Sequence, residues 1–187
     1  MTWLVLGLAL WTGAHLFKSL APEARAALGA RLGEGPARGL MAGAIGLGLV
    51  LMILGYRSAD YVGLWTPPRW TYHLNNLLML VAVFVFALSH SRGRGRAWLR
   101  HPMLIAVMIW SVAHLLVNGD LASLVLFGGL GLWAFADRLA INARTPVWTP
   151  KAPGTPAGDA RWVGISLVVF ALAAAIHTWL GYPPFPQ

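Results

Sequence analysis

The fold class this chain of 187 residues predicts is all-α, a polytopic transmembrane six-helix bundle, and three observations carry that prediction. Hydrophobic residues make up 58% of the sequence and charged ones 11%, where soluble domains carry about 25% charged residues. Mean hydropathy is correspondingly high, at +0.65. The apolar residues gather into stretches near the roughly 20 residues that cross a hydrocarbon core about 30 Å thick. Lys and Arg, finally, crowd into alternate connections.

The spans follow from their flanks. The first covers about 2–20; its Met-Thr-Trp start lacks the basic lead of a secretory signal, so this stretch is expected to remain as a helix. The second, 39–56, follows Pro36, and the third, 73–90, follows the break at Pro67 and Pro68. The fourth, 103–118, opens at His101-Pro102, where proline's missing amide proton costs little. Asn118-Gly119-Asp120 then makes a tight turn, Gly119 ending one helix and Asp120 capping the fifth span, 121–141. A Pro-, Gly- and Thr-rich connector from Pro146 to Gly158 leads to the sixth, 162–181. One domain over 1–187 is expected, with no soluble module.

Charge sets the orientation. Lys18, Arg25, Arg31 and Arg38 fall at the first loop; Arg92, Arg94, Arg96 and Arg100 at the third; Arg138, Arg144, Lys151 and Arg161 at the fifth. Only Arg57 and Arg69 lie in the second loop, so twelve of the fourteen basic residues mark one side. Under the positive-inside rule that side is cytoplasmic and both termini face outward. The net charge of +8 is therefore a topology and anionic-lipid signal, and nucleic acid is excluded as a partner. Aromatic residues of the second loop, among them Trp65 and Trp70, form the girdle expected at a membrane surface. Gly39 and Gly43, followed by Gly46 and Gly48, and the glycines at 128, 129 and 131 suggest close helix packing. The chain has no cysteine, which removes disulfides, thiolate ligands and covalently attached haem.

Two histidines lie at membrane depth, and each closes the same short phrase. One is Trp11-Thr-Gly-Ala-His15-Leu16, the other Trp110-Ser-Val-Ala-His114-Leu115. Ionisable residues at such depth face a bundle interior or a functional site. Neutral imidazole is a common metal ligand and a usual axial ligand of haem iron, so the pair points to a metal or haem site. Ser111, His114 and Asn118 fall at helical spacing and predict one polar stripe on the fourth span. The plainer reading, interhelical hydrogen bonding that holds the bundle together, stands beside the ligand reading for both histidines. His73, His90 and His101 read as interfacial or capping residues, and His177 near Trp179 is the reserve ligand for an outer-leaflet site. The six acidic residues are placed outside the deep positions, so carboxylate-based acid–base chemistry is not expected.

The run His101-Pro102 through Trp110-Ser111, His114-Leu115 and Asn118-Gly119-Asp120, continuing Leu121 to Gly128, strongly resembles the NnrU family of bacterial membrane proteins. Gly13-Ala-His15 through Gly33, and Tyr56-Arg57 to Pro67-Pro68, are similar more loosely. That family is associated with nitrite and nitric oxide metabolism in denitrifying bacteria. Its domain also occurs in the 15-cis-zeta-carotene isomerase of plants and cyanobacteria, a membrane enzyme with haem b whose axial histidines look like His15 and His114. The resemblance thus implies haem b on His15 and His114; by their own positions Trp11 and Trp110, one turn before the ligands, are expected to wall the porphyrin, and Ser111 and Asn118 to hydrogen-bond an imidazole or a propionate. It implies cis–trans isomerisation of a lipophilic polyene such as a carotenoid. Its alternative is a non-catalytic haem or cofactor-free accessory protein of nitric oxide reduction, working with a redox partner. One departure matters: the isomerase has a cysteine where this chain has Ser111.

Overall fold

The computed structural model describes residues 1–185, and among the described residues helices are the only regular elements apart from an isolated bridge pairing Gly63 with Asp120. We number the helices α1 (Thr2–Leu20), α2 (Pro22–Leu32), α3 (Glu34–Arg57), α4 (Thr71–Ala87), α5 (Pro102–Leu115), α6 (Leu121–Arg144) and α7 (Pro156–Trp179). A 3-10 turn, Leu88–His90, extends α4, and a second, Arg94–Ala97, follows. The last two residues of the domain expected over 1–187 lie outside the described residues.

Of the six expected spans, five are met by full-length helices and the fourth by a shorter apolar one. Five helices are long and apolar enough to cross a membrane: α1, α3, α4 with its 3-10 turn, α6 and α7. The fourth expected span, 103–118, shortens to α5, whose 14 residues give a length of about 21 Å at 1.5 Å per residue. Its C-terminus is closed early because the Asn118 side-chain amide donates to the His114 carbonyl at 2.8 Å. Helix α2, which hydropathy alone does not mark, fills the first loop. Pro22 starts it and Gly33, at φ 84°, ends it in a backbone conformation that a side chain would strain.

The chain forms two compact units, Met1–Leu64 with Asp120–Pro146, and Trp65–Gly119 with Val147–Gln187. In the first unit α1 lies on α3 through glycines. A methyl on Gly7 would sit 2.6 Å from the Met52 amide nitrogen, and one on Gly48 would sit 3.0 Å from the Gly7 carbonyl oxygen. One on Gly55 would run into the Leu4 backbone. The close approach therefore uses Gly48 and Gly55; Gly39, Gly43 and Gly46 face open space. Leu4, Met52 and Ala122 form the buried centre, with Leu8, Trp11 and Tyr56 packed around it. Asp120 caps α6, accepting from the Ser123 amide at 2.9 Å and its hydroxyl at 2.6 Å, while Tyr56 meets the same hydroxyl at 2.8 Å. Beyond that cap α6 contains a π turn, Leu124–Gly128, before it continues as regular helix.

In the second unit α4 packs against both α5 and α7. The Trp162 indole donates to the Phe84 carbonyl at 2.9 Å, and its ring meets Phe84 and Trp98 edge-on. Thr155 caps α7 by accepting from the Gly158 amide at 3.1 Å, and its own amide donates to the Arg92 carbonyl at 3.1 Å. Arg94 clasps Asp159 with its backbone amide and its Nε, each at 2.6 Å. The end of the Pro-rich connector is thus held against the third loop. Gly119 is required by proximity, because a Cβ there would strike the Trp65 carbonyl.

Candidate functional site

The two tryptophan–histidine phrases fold into the same local arrangement. On α1, the His15 Nδ1 lies 2.8 Å from the Trp11 carbonyl oxygen, and on α5 the His114 Nδ1 lies 2.9 Å from that of Trp110. A carbonyl only accepts, so Nδ1 carries the proton in both rings and the imidazole lone pair is on Nε2. That is the tautomer of a metal-ligating histidine whose other nitrogen is fixed by a backbone acceptor. Each imidazole also leans on the indole one turn before it, with ring centroids 4.4 Å apart for Trp11–His15 and 4.8 Å for Trp110–His114. The tryptophans thus brace the imidazoles directly.

In the first unit a third ring completes the brace. Trp133 of α6 lies 4.6 Å from His15 and meets Trp11 edge-on at 5.5 Å. His15 therefore sits between two indoles, and the Nε1 atoms of both Trp11 and Trp133 are buried without a hydrogen-bond partner. Trp133 is a residue the sequence reading missed. Its one signal was position, a tryptophan well inside a span and away from the interfacial girdle.

One helical turn further along the same pair of helices, Ser19 donates to Asp137 at 3.3 Å. Asp137 is buried, with 8% of its surface exposed, so this carboxylate enters the packing between α1 and α6. At the end of this seam, the Arg144 guanidinium donates to the Lys18 carbonyl at 2.7 Å.

In the second unit the expected polar stripe of Ser111, His114 and Asn118 is cut short, since α5 ends at Leu115. Asn118 serves as the cap of α5, its amide taken by the His114 carbonyl. Ser111 remains on the helix, buried, its Oγ without a partner. His177 of α7 repeats the Nδ1-to-carbonyl contact, with Ala173 at 2.7 Å, but is exposed. His73 and His90 are exposed near the ends of α4, and His101 precedes Pro102 at the start of α5.

His15 and His114 belong to different units. Among the described residues no three His, Cys, Asp or Glu side chains converge as metal ligands. That donor set does not make a protein-only centre of the zinc type, which takes three or four side chains. A haem asks less of the protein, because a porphyrin supplies four equatorial nitrogens and takes axial imidazoles, and each of these two imidazoles has the tautomer of such a ligand. Near His15 the buried indole N–H groups of Trp11 and Trp133 have no partner, and near His114 the Ser111 hydroxyl has none.

The family model described as NnrU protein matches residues 3–184. No curated protein and no solved structure matches the chain.

Proposed function

The chain belongs to the NnrU family, and from that premise we propose that it is a redox-linked haem b protein of the bacterial inner membrane, with His15 and His114 as axial ligands. One observation carries the reading. The same phrase occurs twice, and in both copies a backbone carbonyl holds Nδ1, which supports Nε2 as the nitrogen that would ligate. His177 makes the same carbonyl contact, so what sets His15 and His114 apart is the indole laid against each ring from one turn before it.

Each neighbouring residue then has a task. Trp11 and Trp133 hold the His15 ring from two sides and keep water from it. Trp110 does so for His114, and Asn118 fixes the carbonyl of the residue that carries the ligand. The Ser111 hydroxyl offers a hydrogen bond one turn before His114. Haem, when bound, supplies one-electron chemistry, and the protein supplies orientation and exclusion of water.

We read the activity as cis–trans isomerisation of a lipophilic polyene, such as a carotenoid, drawn from the bilayer. A second reading is favoured by Ser111, which stands where the related isomerase has a thiol: a non-catalytic accessory protein of nitrite and nitric oxide reduction, exchanging electrons with a redox partner. The basic first, third and fifth connections support cytoplasmic placement of those loops and periplasmic termini.

Optical and EPR spectra of the detergent-purified protein test the assignment. Wild type is expected to show a Soret band and a low-spin, bis-imidazole iron; His15→Ala and His114→Ala should each lose haem or change its ligation. Unchanged spectra in both variants would remove the pair, and His177→Ala would be the next variant. Carbon monoxide binding to the reduced protein separates the two activities, because a sealed electron carrier keeps six ligands.

A further inference from the structure

A groove of about 520 Å³ lies within the second unit, walled by α4, α5 and α7. Its volume falls in the range of roughly 300–1,000 Å³ typical of small-molecule sites. The walls are apolar: Met79, Val83 and Phe86 from α4, Ala106 and Val107 from α5, and Ile165 from α7. Ser166 adds no polarity, because its hydroxyl donates to the Trp162 carbonyl of its own helix at 2.8 Å. The character changes at one end, where the lining passes to His90, Arg92 and Arg161, all exposed. Asp159, an acid close to this end in sequence, is already clasped by Arg94. Neither Arg92 nor Arg161 forms an ion pair among the described residues. An apolar trough ending at two arginines without carboxylate partners among the described residues has the polarity of an amphiphile with an acidic head.

We propose that this groove holds one acidic phospholipid of the surrounding bilayer, an acyl chain lying between α4 and α7 and the phosphate resting on Arg92 and Arg161. A neutral hydrocarbon would fill the trough and leave both charges unanswered. A zwitterionic lipid brings an ammonium group to the same place. The trough is pre-formed: the Trp162–Phe84 hydrogen bond and the capped start of α7 fix its walls without help from a ligand. The arginine-rich end is also the one the charge count assigns to the cytoplasmic leaflet, where anionic lipids attract basic residues. Trp110, which leans on His114, also lines this groove, but the proposal needs neither histidine as a haem ligand.

Native mass spectrometry of the delipidated, detergent-purified protein tests it, with dioleoyl-phosphatidylglycerol and dioleoyl-phosphatidylcholine titrated separately. One phosphatidylglycerol should bind in preference to phosphatidylcholine. Arg92→Gln should weaken it roughly fivefold, and Arg92→Gln with Arg161→Gln roughly 25-fold, while phosphatidylcholine binding stays level. Ile165→Trp, which narrows the trough from the α7 wall, should weaken both lipids. Equal affinity for the two lipids, or phosphatidylglycerol binding untouched by the arginine pair, would overturn the proposal. Sensitivity to the arginines without sensitivity to Ile165→Trp would place the lipid on the outer surface and overturn it too. Loss of Soret absorbance in the double arginine variant, with lipid binding unchanged, would give the arginines to haem and do the same.

Discussion

A histidine on a lipid-spanning helix has two polar nitrogens to satisfy and few neighbours able to do so. His15 solves half the problem with the carbonyl four residues back, and the indoles of Trp11 and Trp133 enclose the rest of the ring. Trp133 is the larger contributor to that enclosure from outside α1, and it is 7% exposed. Replacing it by alanine should cost about 3–5 kcal/mol, as for other buried aromatics cut to alanine. The expected outcome for Trp133→Ala is a lowered melting temperature in detergent and, on the haem proposal, a weakened Soret band, both largely recovered in Trp133→Phe. A melting curve like that of wild type would show that the ring does not support His15. The histidines and their indole partners were legible in the sequence because helical spacing is local. Trp133 and Asp137 were not, since contacts across 118 positions, as in Ser19–Asp137, leave no periodic mark.

At the scale of elements, α1 and α3 are joined by a seam in which glycines admit backbone rather than side chains. Gly7, Gly48 and Gly55 leave no room for a methyl group, whereas Gly43 faces open space. Gly55→Ala should therefore destabilise by about 1–3 kcal/mol, the usual cost of overpacking. Gly43→Ala should instead be neutral or stabilising by about 0.5–1 kcal/mol, because alanine loses less backbone freedom in a helix. Thermal unfolding of the two variants in one detergent checks the contrast, and equal effects would contradict it. Helix boundaries were readable where Pro102, Asp120 and the prolines before α4 stand. The register of the seam was not, because small residues on α3 are more numerous than the ones used. Helix α2 escaped notice for a different reason: it is polar, and a search for apolar stretches passes over it.

For the whole molecule the open term is α5. Five other helices are long enough to cross, and five crossings would leave the termini on opposite sides. Six crossings, which the distribution of basic residues predicts, would require α5 to traverse with local thinning of the bilayer. Periplasmic alkaline phosphatase fused at either terminus is accordingly expected to be active, and fused after Arg96 inactive. Activity at only one terminus would mean that α5 does not traverse. The division of the chain adds a consequence of its own for biosynthesis. The first unit needs the segment Asp120–Pro146, which the ribosome delivers only after the 55 residues Trp65–Gly119 of the second. A nascent chain carrying α1 to α3 must wait in the translocon's vicinity with His15 uncovered on its Trp133 side. Timing of translation thus governs when the imidazole gains shelter, and a stalled product ending near Gly119 would display that ring to lipid.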